Sequence, residues 1–463
     1  MIKSTVRTAL TLGTVWLWTI LGGTYQSHAQ SADALINKLV EKGVLTVKEG
    51  NELREETEKN FNDAYATKSG MPDWVQQLKF SGDVRTRYEG FYSDATWVQN
   101  GVTNKFNDRN RFRIRARFGV TATMFDNLEA GMRLTTGDNQ GNFGGSPLTG
   151  NQTEGDNGSK KYVYFDTAYV KWSPFNGPDW TGSLTIGKMD SPFSVSDMVL
   201  DYDYTPEGAA FQTGYQLTEN HAVKFIGGAF VLDELASDST DPYLLAGQMI
   251  WNANWSKKWS SSASASIFSI QNSQALTNSS VPNINRGNSR NPDGTLAYNF
   301  YPYVLNGSIT YMAETFPFYP GAFPIKVVGE WMRNEGAPSS ADNYGWNAGV
   351  VFGKAGKKKT FEISYMYKWL GANAWWEEIV DDDFGAFYGA LDSPPNSGFG
   401  PGYGAGTNVK GHIVRVAYSP TDALTLAVKW YLTDLIRTFH PAGNPVGSDS
   451  QMNRLQVDGT LQF

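Results

Sequence analysis

The chain has 463 residues, no cysteine, 48 glycines, 14% aromatic residues and a formal net charge of −7. Without cysteine there are no disulfides, thiolate metal sites or cysteine nucleophiles, and so acidic a chain is a poor partner for nucleic acid. Length alone would suggest two or three soluble domains, but the abundance of glycine and aromatics, with turns rich in Asn, Asp, Gly and Pro, argues otherwise.

The N-terminus reads as an export signal. Lys3 and Arg7 form a basic start, and Ala9 to Leu21 is an apolar stretch of 13 residues, shorter than the ~20 a membrane-spanning helix needs. Ser27-His28-Ala29 is a small-x-small cleavage site, so residues 1–29 are expected to be a signal peptide and Gln30 the first mature residue. An uncleaved anchor is the alternative. No lipobox cysteine is present. Residues 30–77 then predict a periplasmic helical segment and linker. Leu35, Ile36, Leu39 and Val40 share a helix face, Thr46-Val47-Lys48-Glu49 resembles a capping box, and Val47, Gly50, Leu53, Thr57, Phe61 and Ala64 follow a narrow seam of three- and four-residue steps.

From residue 78 to 463 the period changes to two, the pattern of an all-β antiparallel transmembrane barrel. Phe112, Ile114, Ala116, Phe118 and Val120 alternate with polar residues, as do Leu424, Leu426, Val428, Trp430 and Leu432. A soluble sandwich also alternates, but here the repeat runs without helices. The predicted strands are 78–91, 109–124, 127–137, 162–173, 181–189, 208–217, 222–232, 243–255, 259–271, 303–315, 323–335, 343–355, 359–370, 408–419, 424–437 and 452–463, about sixteen, with fourteen to eighteen open. Long connections follow odd-numbered strands and short ones even-numbered strands, as in outer-membrane barrels. Phe463, preceded at period two by Leu461, Val457 and Leu455, resembles the terminal strand read by the outer-membrane assembly machinery. The expected location is the outer membrane of a Gram-negative-type envelope.

The strongest charged motif is an arginine ladder. Arg109, Arg111, Arg113, Arg115 and Arg117 share one strand face, with Arg85 and Arg87 on the strand before and Arg133 on the strand after. An arginine facing lipid at mid-bilayer costs roughly 2–4 kcal/mol, so the ladder is expected to line the lumen. Asp83, Glu89 and Glu129 are available partners. The plain reading is a solvated wall whose charges are mostly paired; the sharper one is an anion-attracting pore wall. By parity Lys224, Lys326, Glu330, Glu362, Lys368, Arg415, Lys429, Arg454 and Asp458 also face inward, giving a wall that is net basic.

The connection after the fifth strand carries Asp190, Asp197, Asp201, Asp203 and Glu207, with no base after Lys188. From Gly187 to Gln212 it resembles the G-(K/R)-x-x-x-P-F…(S/T)-D-hydrophobic-hydrophobic-x-D-x-D-x-x-x-E-G stretch of the putative porin family of bacterial outer membranes. Ala32 to Glu56 resembles that family's N-terminal helical segment, except that Gly50 stands where alanine is expected, a change that weakens a helix by about 1 kcal/mol. The resemblance implies a porin barrel with outer-membrane lipid, the barrel assembly machinery and small solutes as partners; it leaves a homotrimer open. General diffusion porins, which the chain resembles in layout, fold their third external loop inward, which implies a constriction at residues 190–207. An ordinary exposed loop is the alternative.

Enzymatic signals are weak, and no cofactor, metal or nucleic-acid partner is expected. His221, His412 and His440 show no ligand spacing. Asp381-Asp382-Asp383 with Glu377 and Glu378 are weighed as a Ca²⁺ group, but a solvated acidic loop is favoured, and Tyr367, Trp369, Trp375 and Trp376 read as part of an interfacial aromatic girdle. The expected function is passive diffusion of small polar or charged solutes through a water-filled channel. The alternative is a structural or interaction barrel that tethers the envelope or binds partners through its loops. The sequence leaves the solute open.

Overall fold

The computed structural model describes residues 72, 74–94, 96–99, 102–105, 108–141, 144–236, 239–276, 286–385, 406–437 and 450–463. The expected signal peptide and helical segment lie outside the described residues. The rest is a closed antiparallel barrel of sixteen strands. In chain order they are β1 (Val75–Ser93), β2 (Arg109–Met124), β3 (Leu128–Thr136), β4 (Val163–Asn176), β5 (Trp180–Lys188), β6 (Glu207–Thr218), β7 (His221–Val231) and β8 (Tyr243–Asn254), then β9 (Trp259–Gln271), β10 (Pro302–Ala313), β11 (Phe323–Asn334), β12 (Tyr344–Gly353), β13 (Thr360–Leu370), β14 (Val409–Ser419), β15 (Leu424–Leu435) and β16 (Met452–Gln462). Each pairs with its chain neighbours, and β1 pairs with β16 to close the ring. The edges expected for 109–124 and 259–271 coincide with those observed, and the others differ by no more than three residues.

Period two sorts the side chains inside out. Phe80, Phe112 and Phe118 are 59%, 60% and 49% exposed, while Asp83, Arg87, Arg113 and Arg115 are buried. A soluble sandwich would reverse this, so the outer face is built for an apolar surround. Aromatic pairs stand at the short-turn end: Trp180 with Tyr215 (4.6 Å between ring centres), Trp251 with Trp255 (5.6 Å) and Trp259 with Tyr311 (4.8 Å), the positions of an interfacial belt.

The seam carries Phe463. Its N–H donates to the Gly82 carbonyl (3.1 Å), and the Gly82 N–H donates back to the Phe463 carbonyl (2.9 Å). A Cβ on Gly82 would stand 2.6 Å from the Phe463 ring, so the terminal ring lies over a position only glycine suits.

The largest apolar cluster is inside the ring. Met198, Val199 and Leu200 from residues 189–206, Leu296 and Phe300 from residues 286–301, and Trp375, Trp376, Ile379 and Val380 from residues 371–385 pack with the inward residues Phe230, Phe268 and Met332. Three connections therefore fill part of the barrel.

Candidate pore interior

At Gly187 φ is +122°, and a Cβ would lie 2.3 Å from the Ala168 carbonyl oxygen, so glycine frees the chain to turn in after β5. The next residues bond in succession around the wall. The Ser194 N–H donates to Gln248 of β8 (2.8 Å), and Asn306 of β10 donates to the Ser194 carbonyl (2.7 Å). The Ser196 N–H and hydroxyl both donate to Glu330 of β11, and Asn347 of β12 donates to the Ser196 hydroxyl (2.8 Å). Lys368 of β13 donates to Asp197 (2.6 Å). On the far side, Arg115 and Arg117 of β2 reach Asp203 at 3.1 and 3.3 Å. A segment anchored to β8 through β13 and also to β2 crosses the interior.

Residues 371–385 join it. At Gly371 a Cβ would stand 2.3 Å from the Asp342 carbonyl oxygen, so the entry again needs glycine. The Trp375 indole N–H donates to the Val199 carbonyl (2.8 Å), the Asp201 N–H to the Ile379 carbonyl (2.8 Å) and the Asp381 N–H to the Asp197 carbonyl (3.0 Å). Lys368 bridges the two segments, because it also donates to Asp381 (2.9 Å). Asp383 receives Arg454 at 2.6 Å and Arg87 at 3.4 Å, and Glu377 receives Arg290 at 2.6 Å.

Two expectations are corrected here. Residues 377–383 are not a solvated acidic loop: Glu377, Glu378 and Asp381 are buried. Trp375 and Trp376 are not in the girdle but in the interior core; of that group only Tyr367 and Trp369 stand on the outer face of β13. The reason is amphipathic pairing. Trp375, Ile379, Val380 and Phe384 find apolar partners in Met198–Leu200, and the carboxylates between them find bases on the wall. Apolar residues interleaved with acids, in a chain whose wall has bases to spare, were the available signal.

Most of the ladder is paired. Glu89 accepts from Arg111 (2.5 Å) and from Arg454 (3.0 Å), with Arg113 3.8 Å away. Asp83 takes Arg115 and Arg117 at 2.9 and 2.7 Å. Arg87 meets Asp458 at 2.7 Å. Arg133 lies between Asp166 (2.5 Å), the extra residue where β4 shifts register against β3, and Asp190 (2.6 Å). Glu129 takes the Tyr169 hydroxyl (2.9 Å), not an arginine. Glu207 opens β6, is exposed and meets Lys188 at 2.8 Å. Arg85 stands apart: it donates to the Asn151 side chain (2.6 Å), and its buried Nε has no acceptor.

Two interior cavities lie among the described residues. One, of about 520 Å³, is lined by Thr135, Tyr164, Asp166, Lys188 and Glu207 among others. The second, of about 360 Å³, has Arg85, Arg87, Arg415 and Lys429 on its wall and Asp197, Asp201, Asp381 and Asp382 on the segments. Thr149 and Asp203 line both. Burial, then the neighbouring Asp382, Asp381 and Asp203, pushes the Asp201 carboxyl well above the usual carboxylate range. Burial, then Asp383, pushes Asp382 up to about 7. Oxygens of Asp201, Asp381 and Asp382 lie within 4.8 Å of one another, close enough to share a metal ion. However, Lys368 and backbone N–H groups already occupy Asp381 and Asp201. His221 stacks on Trp251 (5.7 Å), His412 faces the Tyr365 hydroxyl (2.8 Å) on the outer surface, and His440 lies outside the described residues.

A sixteen-stranded antiparallel barrel with an apolar exterior and a charged interior defines a transmembrane barrel of the outer-membrane type. Residues 90–300 match the family model described as Putative porin, and over that stretch, which includes Gly187–Gln212, the chain carries this family's pattern. The matched stretch is a little under half of the chain. Among solved structures the chain is similar to OprB of Pseudomonas putida (10% identity, TM-score 0.49, covering 87% of this chain and 97% of that one). It is also similar to OmpF of Salmonella typhi, solved with daunomycin (11%, 0.43, 84% and 98%), and to the outer membrane channel DcaP of Acinetobacter baumannii (11%, 0.41, 84% and 97%). Likenesses at these scores carry no argument about solute or assembly. No curated protein matches the chain at a significant level.

Proposed function

We propose that the chain forms a water-filled channel for passive diffusion of small polar or charged solutes, narrowed by residues 189–206. The observation that carries this reading is Asp203: it lines both interior cavities and is tied to Arg115 and Arg117. On this reading Arg85, Arg87, Arg111, Arg113, Arg115, Arg117 and Arg133 belong to the wall, Asp197, Asp201 and Asp203 to the neck, and Asp190 and Glu207 flank it. At physiological salt the Debye length is about 8 Å, so charges act on a solute only where the passage is of that width, and interior segments packed against the wall support such a neck. Residues 31–66 are read as a periplasmic helical segment and Phe463 as the residue recognised during assembly.

Liposome swelling tests the channel. Vesicles carrying the folded chain should admit small neutral sugars and slow sharply as solute size rises. Vesicles that hold folded barrel and stay impermeable to the smallest solute would overturn the reading.

A further inference from the structure

The second cavity carries an asymmetry of charge that the sequence hides. Its acids are nearly all neutralised on the spot. Asp197 and Asp381 share Lys368, Asp203 holds Arg115 and Arg117, Asp383 holds Arg454 and Arg87, and Asp458 holds Arg87. Arg415 is paired in turn with Glu362. Among the described residues, Arg85 and Lys429 are the cavity's bases with no carboxylate at ion-pair distance. Both also face like charge across the sheet: Arg85 is registered against Arg115, and Lys429 against Arg415. The cavity wall also offers the Asn151 amide and the hydroxyls of Thr149, Thr425 and Thr460, and the paired carboxylates Asp203 and Asp458 act on Arg85 from beyond ion-pair distance, as Asp197, Asp381 and Asp383 do on Lys429.

We propose that this cavity is a binding subsite for a small oxyanion, a carboxylate or a phosphate, held by Arg85 and Lys429 as it passes the neck. The proposal rests on the channel reading above. Two bases on one cavity wall, each registered against a like charge and with no carboxylate at ion-pair distance, gain from an anion, and charge-assisted bonds to oxyanions are the strong ones. Arg85 offers its guanidinium beside Asn151; Lys429 rests its ammonium on the Tyr431 ring, 4.7 Å from the centre.

Two of the opposing carboxyls are held toward their neutral form. Asp201 is faced by Asp203, Asp381 and Asp382, and Asp382 by Asp381, Asp383, Arg113 and Arg454. Burial and that crowding raise both carboxyls, Asp382 up to about 7, so at pH 6 Asp382 is mostly a neutral donor.

The test uses the full folded chain in planar bilayers at pH 6 and low salt, carrying chloride current. Inorganic phosphate and succinate are the probes, added separately. Each should reduce the chloride current with a saturable dependence, and the more effective of the two identifies the anion class. The R85Q/K429Q variant should raise the half-blocking concentration by roughly ten-fold or more, since it removes two charge-assisted contacts. The single K429Q variant, should the double fail to fold, should raise it by a smaller factor. Lys258→Gln, in a turn outside the passage, should leave it unchanged. A cation-preferring wild-type current at pH 6, or half-blocking concentrations unmoved by either variant, would overturn the subsite while leaving the channel standing. A folded barrel with no current at all would instead overturn the channel reading.

Discussion

Replacing Lys368 with methionine should release the two interior segments and widen the passage. The ammonium lies 2.6 Å from Asp197 and 2.9 Å from Asp381 and is 1% exposed. Removing one partner of a buried ion pair costs about 3–5 kcal/mol. At a factor of ten per ~1.4 kcal/mol, that shifts the docked arrangement by roughly two to three orders of magnitude. The barrel should survive, because the Lys368 backbone stays laddered to Asn347 and Gly411; the two carboxylates, left with only the more distant Lys429, push the segments apart. Single-channel recording at pH 8 should show a larger conductance with added fluctuation. At pH 5 the effect should shrink, because burial already raises the Asp381 carboxyl and a proton can take the place of the lysine. The triple variant K368M/D197N/D381N, which removes all three charges, should return close to wild-type conductance. If K368M keeps wild-type conductance and noise at pH 8 in a heat-modifiable, folded barrel, the ion-pair clamp does not hold the segments and the reasoning fails.

Three further outcomes are expected. The Asp382 carboxyl, pushed up to about 7, is neutral below that pH and charged above it, so raising the pH from about 6 to 8 adds negative charge to the neck. Reversal potentials in a salt gradient should move toward cation preference over that window, and D382N should flatten the curve. Deleting Phe463 should lower the yield of heat-modifiable barrel, because the Gly82 bonds and ring contact at the β1–β16 seam are lost; an unchanged yield would refute its role in assembly. Removing residues 31–66 should leave conductance nearly unchanged, whereas a large rise would show that the segment is a plug.

The barrel was legible because one rule governs it. Alternation of Phe112, Ile114, Phe118 and Val120 with arginines fixes which face meets which medium, and the strand edges follow from where alternation stops. The interior was legible only in part. Parity placed Glu330, Lys368 and Arg454 inward, where they are buried, and the acids of residues 190–203 stood out because no base accompanies them. Their partners could not be read. Asp203 meets Arg115 across the barrel, 88 residues away in sequence, and Asp197 meets Lys368, 171 residues away; such pairings depend on how a connection folds back, which period two does not encode. The second segment was misread for the same reason. Trp375 beside acids looks like a belt residue until Val199 is brought to its indole N–H. Pairing also ties most of the ladder to carboxylates, while Arg85, on the strand before it, has none at ion-pair distance among the described residues.

The central claim is a conducting passage that residues 189–206 narrow, and single-channel recording of the purified chain beside a variant lacking residues 192–204 tests it most directly. The account predicts discrete ohmic steps for the intact chain and clearly larger steps, with weaker ion selectivity, for the shortened one. A folded, inserted barrel that passes no current, or one whose conductance is the same with and without the segment, would contradict it.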